Sequence, residues 1–92
     1  MIYLDSTHIS AMKQCLGFDE SQVRDGFFEA KRNYSLHRSV NPTFEDLVAK
    51  GYVDKNYCCD MVNYKLTSMG ISFIEDTFHC KIKIIKENKE DY

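Results

Sequence analysis

The side chains best suited to metal or redox chemistry are those of four cysteines and three histidines. Cys58 and Cys59 are adjacent, as are His79 and Cys80, and there is no Cys-x-x-Cys or His-x-x-x-His pair. Structural zinc sites usually take spaced pairs of ligands, and neighbouring residues of a strand point to opposite faces. Zinc held by Cys58 or Cys59 with His79 or Cys80 is therefore the weaker alternative. We expect reduced thiols, with no bound metal and no cofactor.

Covalent catalysis needs a nucleophile beside a base and a group that orients the base. The sequence contains no Gly-rich phosphate loop, no Gly-x-Ser-x-Gly motif and no paired-carboxylate motif. His8 falls on a predicted helix, where a surface or half-buried position is the simpler interpretation. We therefore expect that the protein is not an enzyme.

Charge is distributed unevenly along a chain whose net charge is −2. Residues 1–30 carry two basic and five acidic side chains, whereas residues 31–65 carry six basic and four acidic ones. The overall balance is not that of a strongly basic nucleic-acid binder. A positively charged surface, if there is one, must come from residues 31–65.

The elements that position these residues are clearest in the middle of the chain. Phe44, Leu47 and Val48 recur at helical spacing, and Pro42 and Gly51 predict the two ends of a helix over residues 43–50. A β-hairpin should follow, starting at Tyr52 and Val53 and turning at Cys59 and Asp60. Its second strand is indicated by the alternation of Val62, Tyr64 and Leu66. Thr67 is the predicted N-cap of another helix, whose apolar stripe is Ile71, Ile74 and Phe78.

The flanking segments give further predictions. Capped by Asp5, Ser6 or Thr7, a first helix should end at Gly17. A second should begin at Asp19 with a buried stripe of Val23, Phe27, Ala30 and Tyr34, and Gly26 weakens this helix and leaves a break there as the alternative. Residues 35–42 should connect it to the central helix, and residues 2–4 could add an edge strand. The last helix should reach about Lys86 before a frayed end, although Cys80, Ile82 and Ile84 also alternate as a strand would.

Two motifs in the central stretch resemble the winged helix-turn-helix superfamily. They are Leu47-Val48-Ala49-Lys50-Gly51-Tyr52-Val53 at a helix end and Tyr64-Lys65-Leu66-Thr67-Ser68-Met69-Gly70 at the close of a wing. Leu16-Gly17 and Arg32-Asn33-Tyr34 also look like elements of short prophage-encoded proteins of this type. The resemblance implies one α+β domain over residues 1–92: three to four helices and a two- or three-stranded wing, with residues 81–92 as a helical extension and tail.

The same resemblance implies a role in DNA binding and in the regulation of transcription in a phage or other mobile element. In a winged helix the central helix enters the major groove, and the wing and the preceding turn meet the backbone. By position, Arg32, Arg38 and Lys55 would hold phosphates, Asn41 and Thr43 would face bases, and Tyr34 and Tyr57 would touch sugar or backbone. Glu45 and Asp46 count against this assignment, because carboxylates in the first turn repel phosphate.

The alternative is a protein-interaction module that inhibits or redirects a host factor, such as a component of host defence, since one fold can serve many functions. An extended last helix would also expose Ile82 and Ile85, which predicts a homodimer through that helix. No apolar run is long enough to span a membrane, and Met1 leads directly into the first element. We therefore expect a cytoplasmic protein that does not associate with a membrane.

Overall fold

Three α-helices and five short strands make up the part of the chain, residues 4–85, that the computed structural model describes. The helices are α1 (Ser6–Leu16), α2 (Pro42–Lys50) and α3 (Ser68–Phe78). The strands are β1 (Phe27–Ala30), β2 (Ser35–His37), β3 (Val53–Cys58), β4 (Met61–Leu66) and β5 (Lys81–Ile84). Antiparallel pairing joins three strands in the order β2-β4-β3, while β1 and β5 form a separate parallel pair. The predicted α+β class is confirmed.

Helix α1 begins and ends where the sequence predicts. The Asp5 carboxylate accepts the backbone N–H of His8 at 3.1 Å, and the His8 ring accepts the backbone N–H of Asp5 at 3.2 Å. This reciprocal capping satisfies two backbone N–H groups of the first turn. At the other end Gly17 has φ +65° and closes the helix in the left-handed conformation.

Gly51 and Thr67, on either side of the hairpin, end α2 and cap α3 as predicted, whereas sequence reasoning assigned α2 no N-cap. Asn41 is the N-cap of α2, Gly51 closes that helix at φ +89°, and Thr67 caps α3. The start of α3 packs so closely on the chain leaving α2 that a Cβ on Gly70 would collide with the carbonyl oxygen of Tyr52. Only glycine allows this approach, so Gly70 fixes where α3 lies against the hairpin.

The hairpin itself agrees with the sequence. Strands β3 and β4 pair from Val53–Leu66 to Cys58–Met61, which leaves Cys59 and Asp60 as a two-residue turn. Both turn residues have positive φ, +52° and +65°, as the turns that best fit twisted hairpins require.

The core lies between the helices and the inner face of the three-stranded sheet. Phe44 stacks on Tyr64 with 4.6 Å between ring centroids and 10° between planes. Met12, Leu47 and Ile74 have no exposed surface. Each helix thus contributes at least one fully buried side chain to a single cluster.

The predicted second helix is wrong. After one 3-10 turn at Glu20–Gln22, Arg24 and Phe27 exchange two backbone hydrogen bonds across Asp25 and Gly26, both at positive φ. This tight turn interrupts any helix, because left-handed residues cannot continue one. Of the expected stripe after this turn, Phe27 and Ala30 belong instead to β1 and Tyr34 lies just before β2. In β1 the buried residues are Phe28 and Ala30.

The predicted helical extension after residue 78 is also wrong within the described residues. Helix α3 ends at Phe78, His79 takes the left-handed conformation at φ +55°, and Lys81–Ile84 forms β5 parallel to β1. The alternation of Cys80, Ile82 and Ile84 was therefore the better guide. The helix on which the predicted dimer interface depended stops at Phe78, and residues 86–92 lie outside the described range.

The third strand of the main sheet is β2, which lies in the segment predicted to be only a connection. The predicted strand over residues 2–4 falls mainly outside the described range, and Leu4 has no regular secondary structure. Because β1 and β2 lie between α1 and α2, no two α-helices of residues 4–85 are joined by the short turn of a helix-turn-helix motif.

Candidate interaction surface

Asn41 and Thr43, predicted to face DNA bases, serve the start of α2. The Asn41 side-chain oxygen accepts the backbone N–H groups of Thr43 and Phe44 at 3.0 and 3.2 Å. The Asn41 N–H donates to the Tyr64 hydroxyl at 3.1 Å. Thr43 is half-buried. Capping thus already uses the oxygen that base contact would require.

Lys55, predicted to hold a phosphate, forms an ion pair within the domain. Its Nζ lies 3.0 Å from the Glu45 carboxylate, which also accepts the Tyr64 hydroxyl at 2.6 Å. These bonds, from Tyr64 first and Lys55 second, hold the pKa of Glu45 below its usual value, and the Glu45 partner raises the pKa of Lys55. Burial, together with the bond to Glu45, raises the pKa of Tyr64. Beside this group Tyr57 is 68% exposed, with the Lys55 ammonium 5.6 Å from its ring centroid.

The next carboxylate of α2, that of Asp46, also pairs with groups within the domain. Asp46 accepts Lys50 Nζ at 2.8 Å and lies 2.6 Å from His8 Nε2 of α1. The bond from Lys50, followed by that to His8, lowers the pKa of Asp46. Glu45 and Asp46 therefore repel an incoming phosphate less than their charges alone suggest.

Arg32 lies apart from these residues. Its guanidinium donates to the carbonyl oxygen of Gln14 at 2.9 Å, at the C-terminal end of α1. A cation there complements the helix dipole. The structure thus brings Asn41, Thr43, Lys55 and Tyr57 together around the starts of α2 and β3. Arg32 lies elsewhere, at the C-terminal end of α1.

Tyr34 and Arg38 flank β2 and are exposed. They belong to a surface that sequence reasoning missed. Tyr34, Leu36 and Val40 are 49%, 47% and 52% exposed, so three large apolar side chains lie in water within seven residues. We call this group, with Arg38, the β2 surface. The sequence feature that indicates this strand is the alternation of Tyr34 and Leu36 with Ser35 and His37. Sequence reasoning did not use it and assigned these residues to a connection.

Strand β2 is at the edge of its sheet, next to β4 only. The Tyr34 N–H donates to the carbonyl oxygen of Cys15 at 3.0 Å, on the side away from β4. Alternate residues of an antiparallel strand direct their backbone groups to the same side. The Leu36 N–H and C=O therefore point away from β4.

The outer face of the sheet continues the β2 surface. Leu36 lies opposite Asn63 of β4, which lies opposite Asn56 of β3. The side-chain oxygen of Asn63 is buried and has no hydrogen-bond partner among the described residues. Buried polar atoms are rarely left unpaired in folded proteins.

The inner side of β2 is held by a polar chain. Gln14 Nε2 donates to Ser35 Oγ at 3.1 Å, and Ser35 Oγ lies 2.8 Å from His37 Nε2. The His37 ring packs 5.1 Å from Phe44 and 5.5 Å from Tyr64, centroid to centroid. The strand is therefore anchored to α1 and α2, while its outer side chains remain exposed.

Asn33, just before β2, makes a further anchor that sequence reasoning assigned no role. Its side chain donates to the Leu66 carbonyl oxygen at 3.0 Å and accepts the Leu66 N–H at 2.8 Å. The amide thus pairs with the end of β4 as another strand would. The Arg32-Asn33-Tyr34 sequence consequently joins the C-terminal end of α1, the end of β4 and the start of β2.

The four cysteines differ in exposure: Cys15 and Cys80 are buried, whereas Cys58 and Cys59 are exposed. His79 and Cys80 line an open recess of about 450 Å³ with Glu75 and Asp76. Burial raises the pKa of Cys80, and burial raises that of Cys15 to about 12, so both are protonated and poor nucleophiles at neutral pH. Within residues 4–85 no three His, Cys, Asp or Glu side chains are placed to hold one metal ion.

Comparison of the chain with protein-family models, curated proteins and solved structures finds no match. Among the described residues, none of the helices combines the length and apolar character needed to cross a membrane. Function must therefore be argued from the surface just described.

Proposed function

We propose that this chain is a protein-interaction module that binds an extended segment of a partner protein along β2. The observation that carries the proposal is the exposure of Tyr34, Leu36 and Val40 on and beside an edge strand. Apolar side chains clustered in water mark interaction sites, and an unpaired strand edge accepts another strand through its backbone.

The outer face also indicates the chemistry of the partner. A strand added beside β2 would bond the outward backbone groups of Leu36 and cover the three apolar side chains. Lys65 lies opposite Asp54 on this face, and Arg38 follows the strand, so the exposed charge beside β2 is mainly positive. We infer an amphipathic partner segment with apolar residues toward Tyr34 and Leu36 and an acidic residue near Arg38.

The anchoring of β2 supports this role. Strand addition is favoured when the accepting strand is already ordered, because less conformational entropy is then lost on binding. The contacts of Ser35, His37 and Asn33 hold β2 from the inside, while the side chains of Tyr34 and Leu36 remain exposed. Within this proposal, a host factor is the partner that agrees with the likeness to prophage-encoded proteins.

The test combines capture from nuclease-treated host lysate with hydrogen exchange on the captured complex. We expect a specific partner to bind the native chain and protect the backbone amides of residues 35–38. Leu36→Glu should abolish capture, whereas Tyr57→Ser, which alters an exposed aromatic residue on β3, should leave it unchanged. Equal capture by Leu36→Glu, or protection confined to another part of the chain, would refute the proposal.

Binding of double-stranded DNA in gene regulation is the second candidate. It is favoured by Arg38, which is exposed just before the positive end of the α2 dipole, and by Tyr57, which projects from the hairpin. The internal bonds of Asn41 and Lys55 count against it.

The salt dependence of binding discriminates this candidate. If the protein binds duplex DNA, affinity should fall steeply with added salt, and the double variant Arg32→Ala, Arg38→Ala should have a shallower slope. Because Arg32 already donates to Gln14, we expect Arg38→Ala alone to account for most of the change. Failure to retain mixed-sequence DNA at low salt would eliminate the candidate.

A further inference from the structure

The tip of the hairpin presents two thiols side by side. Cys58 is the last residue of β3 and Cys59 the first of the turn, and both are exposed. Their sulfur atoms are 3.9 Å apart. Two successive residues of a regular strand would point to opposite faces, but Cys59 has left the strand conformation at φ +52°. The sequence-based objection to vicinal ligands therefore does not apply here, because the turn brings the two thiols together.

This separation fits the geometry of a tetrahedral thiolate site. With zinc–sulfur bonds of about 2.3 Å, two sulfurs on one tetrahedral ion lie about 3.8 Å apart. We propose that the hairpin tip is half of a four-thiolate site for zinc or a similar thiophilic divalent ion, and that the same tip of a second copy of this chain supplies the other half.

A second copy is invoked because residues 4–85 of one chain offer too few ligands. Zinc in structural sites takes four, and the described residues contain no group of three candidate ligands. Asp60 beside the thiols adds negative charge that attracts a cation. All of Tyr57–Asp60 is exposed, so the domain does not obstruct a two-fold arrangement of two tips about one ion.

Metal binding at this site should release protons. Zinc binds thiolates, so each cysteine ligand loses its proton on binding. Affinity should therefore increase with pH. Cys15 and Cys80 are buried and give internal controls, since neither thiol is accessible to an external ion.

The test is sedimentation of the fully reduced chain with and without zinc. We expect the sedimenting mass to double on addition of zinc, with one ion per two chains, and a chelator to restore the monomer. The double variant Cys58→Ser, Cys59→Ser should stay monomeric in zinc, whereas Cys80→Ala should still dimerise. Both serines replace exposed side chains at a turn, so folding should be preserved, and circular dichroism checks this.

Cobalt(II) gives an independent readout, because tetrahedral thiolate coordination produces intense visible absorption that is lost in the double serine variant. Three results would overturn the proposal: a monomer in excess zinc, one zinc per single chain, or a zinc-induced dimer that survives removal of both thiols. A dimer that resists the chelator but separates with a reductant would be a disulfide, and would overturn it equally.

Discussion

The two sheets of this protein differ in how they are built and in how well they are supported. The three-stranded sheet is antiparallel, two of its strands form a hairpin, and its inner face packs on the helices. The two-stranded sheet joins β1 to β5 in parallel, and these strands are far apart in the sequence. Tyr64 at the centre of the first sheet is fully buried, whereas Ile84 in the second is 38% exposed.

This contrast distinguishes the parts of the molecule that provide stability from the strand that we propose binds a partner. Parallel pairs are usually covered on both faces, and two strands alone are marginal. The β1–β5 pair should therefore depend on the main core, to which β1 adds Phe28 and Ala30 whereas β5 adds no buried side chain. By contrast, β2 is anchored to that core and can bind a partner without being ordered by it.

The largest expected difference is between two isoleucines, one from each region. Ile74 of α3 is fully buried, so Ile74→Ala should lower the free energy of unfolding by about 2–5 kcal/mol. Ile84→Ala should cost about 1 kcal/mol or less, because much of that side chain already lies in water. Urea unfolding of the two variants measures both. Equal losses would show that the parallel pair belongs to the same core.

Two glycines sharpen the same comparison. Gly70→Ala places a methyl group against the Tyr52 carbonyl oxygen, and α3 must shift to accommodate it, at a cost of about 1–3 kcal/mol. In Gly26→Ala, in the turn before β1, the added methyl group meets no atom within 4 Å. The only cost is the strain of a residue with a side chain at φ +81°, about 1–2 kcal/mol. Thermal unfolding compares them, and a greater loss for Gly26→Ala would contradict the close approach at Gly70.

The Asn33 amide should contribute through both of its bonds to Leu66. Asn33→Ala removes both and should cost about 1–3 kcal/mol, since Leu66 is buried and its backbone groups lose their partner. Asn33→Asp keeps the acceptor for the Leu66 N–H but sets a carboxylate against the Leu66 carbonyl oxygen. We expect it to be destabilising as well. Denaturant unfolding measures both, with exposed Asn56→Ala as the control, and full stability of Asn33→Asp would contradict the paired geometry.

Acid should weaken the contacts around the start of α2. The folded-state pKa of Glu45 lies below its ordinary value of 4.5, and that of Asp46 below 3.8. Their contribution to stability is therefore complete above those ordinary values and lost as the pH falls through the lower folded-state values.

The Glu45→Gln variant measures the Glu45 share. Its urea midpoint should decline less than that of the native chain between neutral pH and about pH 3. The effect should be small, because the ion pair with Lys55 is partly exposed. Parallel decline of the two midpoints would show that the Glu45 carboxylate does not stabilise the fold.

The predictable part of the fold is the part encoded locally. The caps at Asp5, Gly17, Gly51 and Thr67, and the hairpin turn at Cys59, each depend on neighbouring residues and are confirmed. The β1–β5 pair depends on contact between distant segments, and its short strands also fit a helical spacing. Phe27 and Ala30 are three residues apart, a spacing that is typical of a helix. The positive φ of Asp25 and Gly26, which prevents the helix, is evident only from the structure.

The candidate surface was less predictable than the fold. A sequence shows which side chains are charged but not which charges pair, so the bonds of Lys55 to Glu45 and of Arg32 to Gln14 could not be foreseen. The exposure of Leu36 could not be predicted for a related reason. A strand of three residues is too short to show a clear alternation of apolar and polar side chains, so only its pairing with β4 shows which residues face outward.

Native-state hydrogen exchange by NMR tests the separation of the two sheets most directly. We expect the slowest amides at Val62, Tyr64 and Leu66 of β4, exchanging only through global unfolding. Amides of β5 should exchange much faster, through a local opening that leaves the main sheet intact. Equally slow exchange in β4 and β5, with the same response to denaturant, would show one cooperative unit and contradict the account.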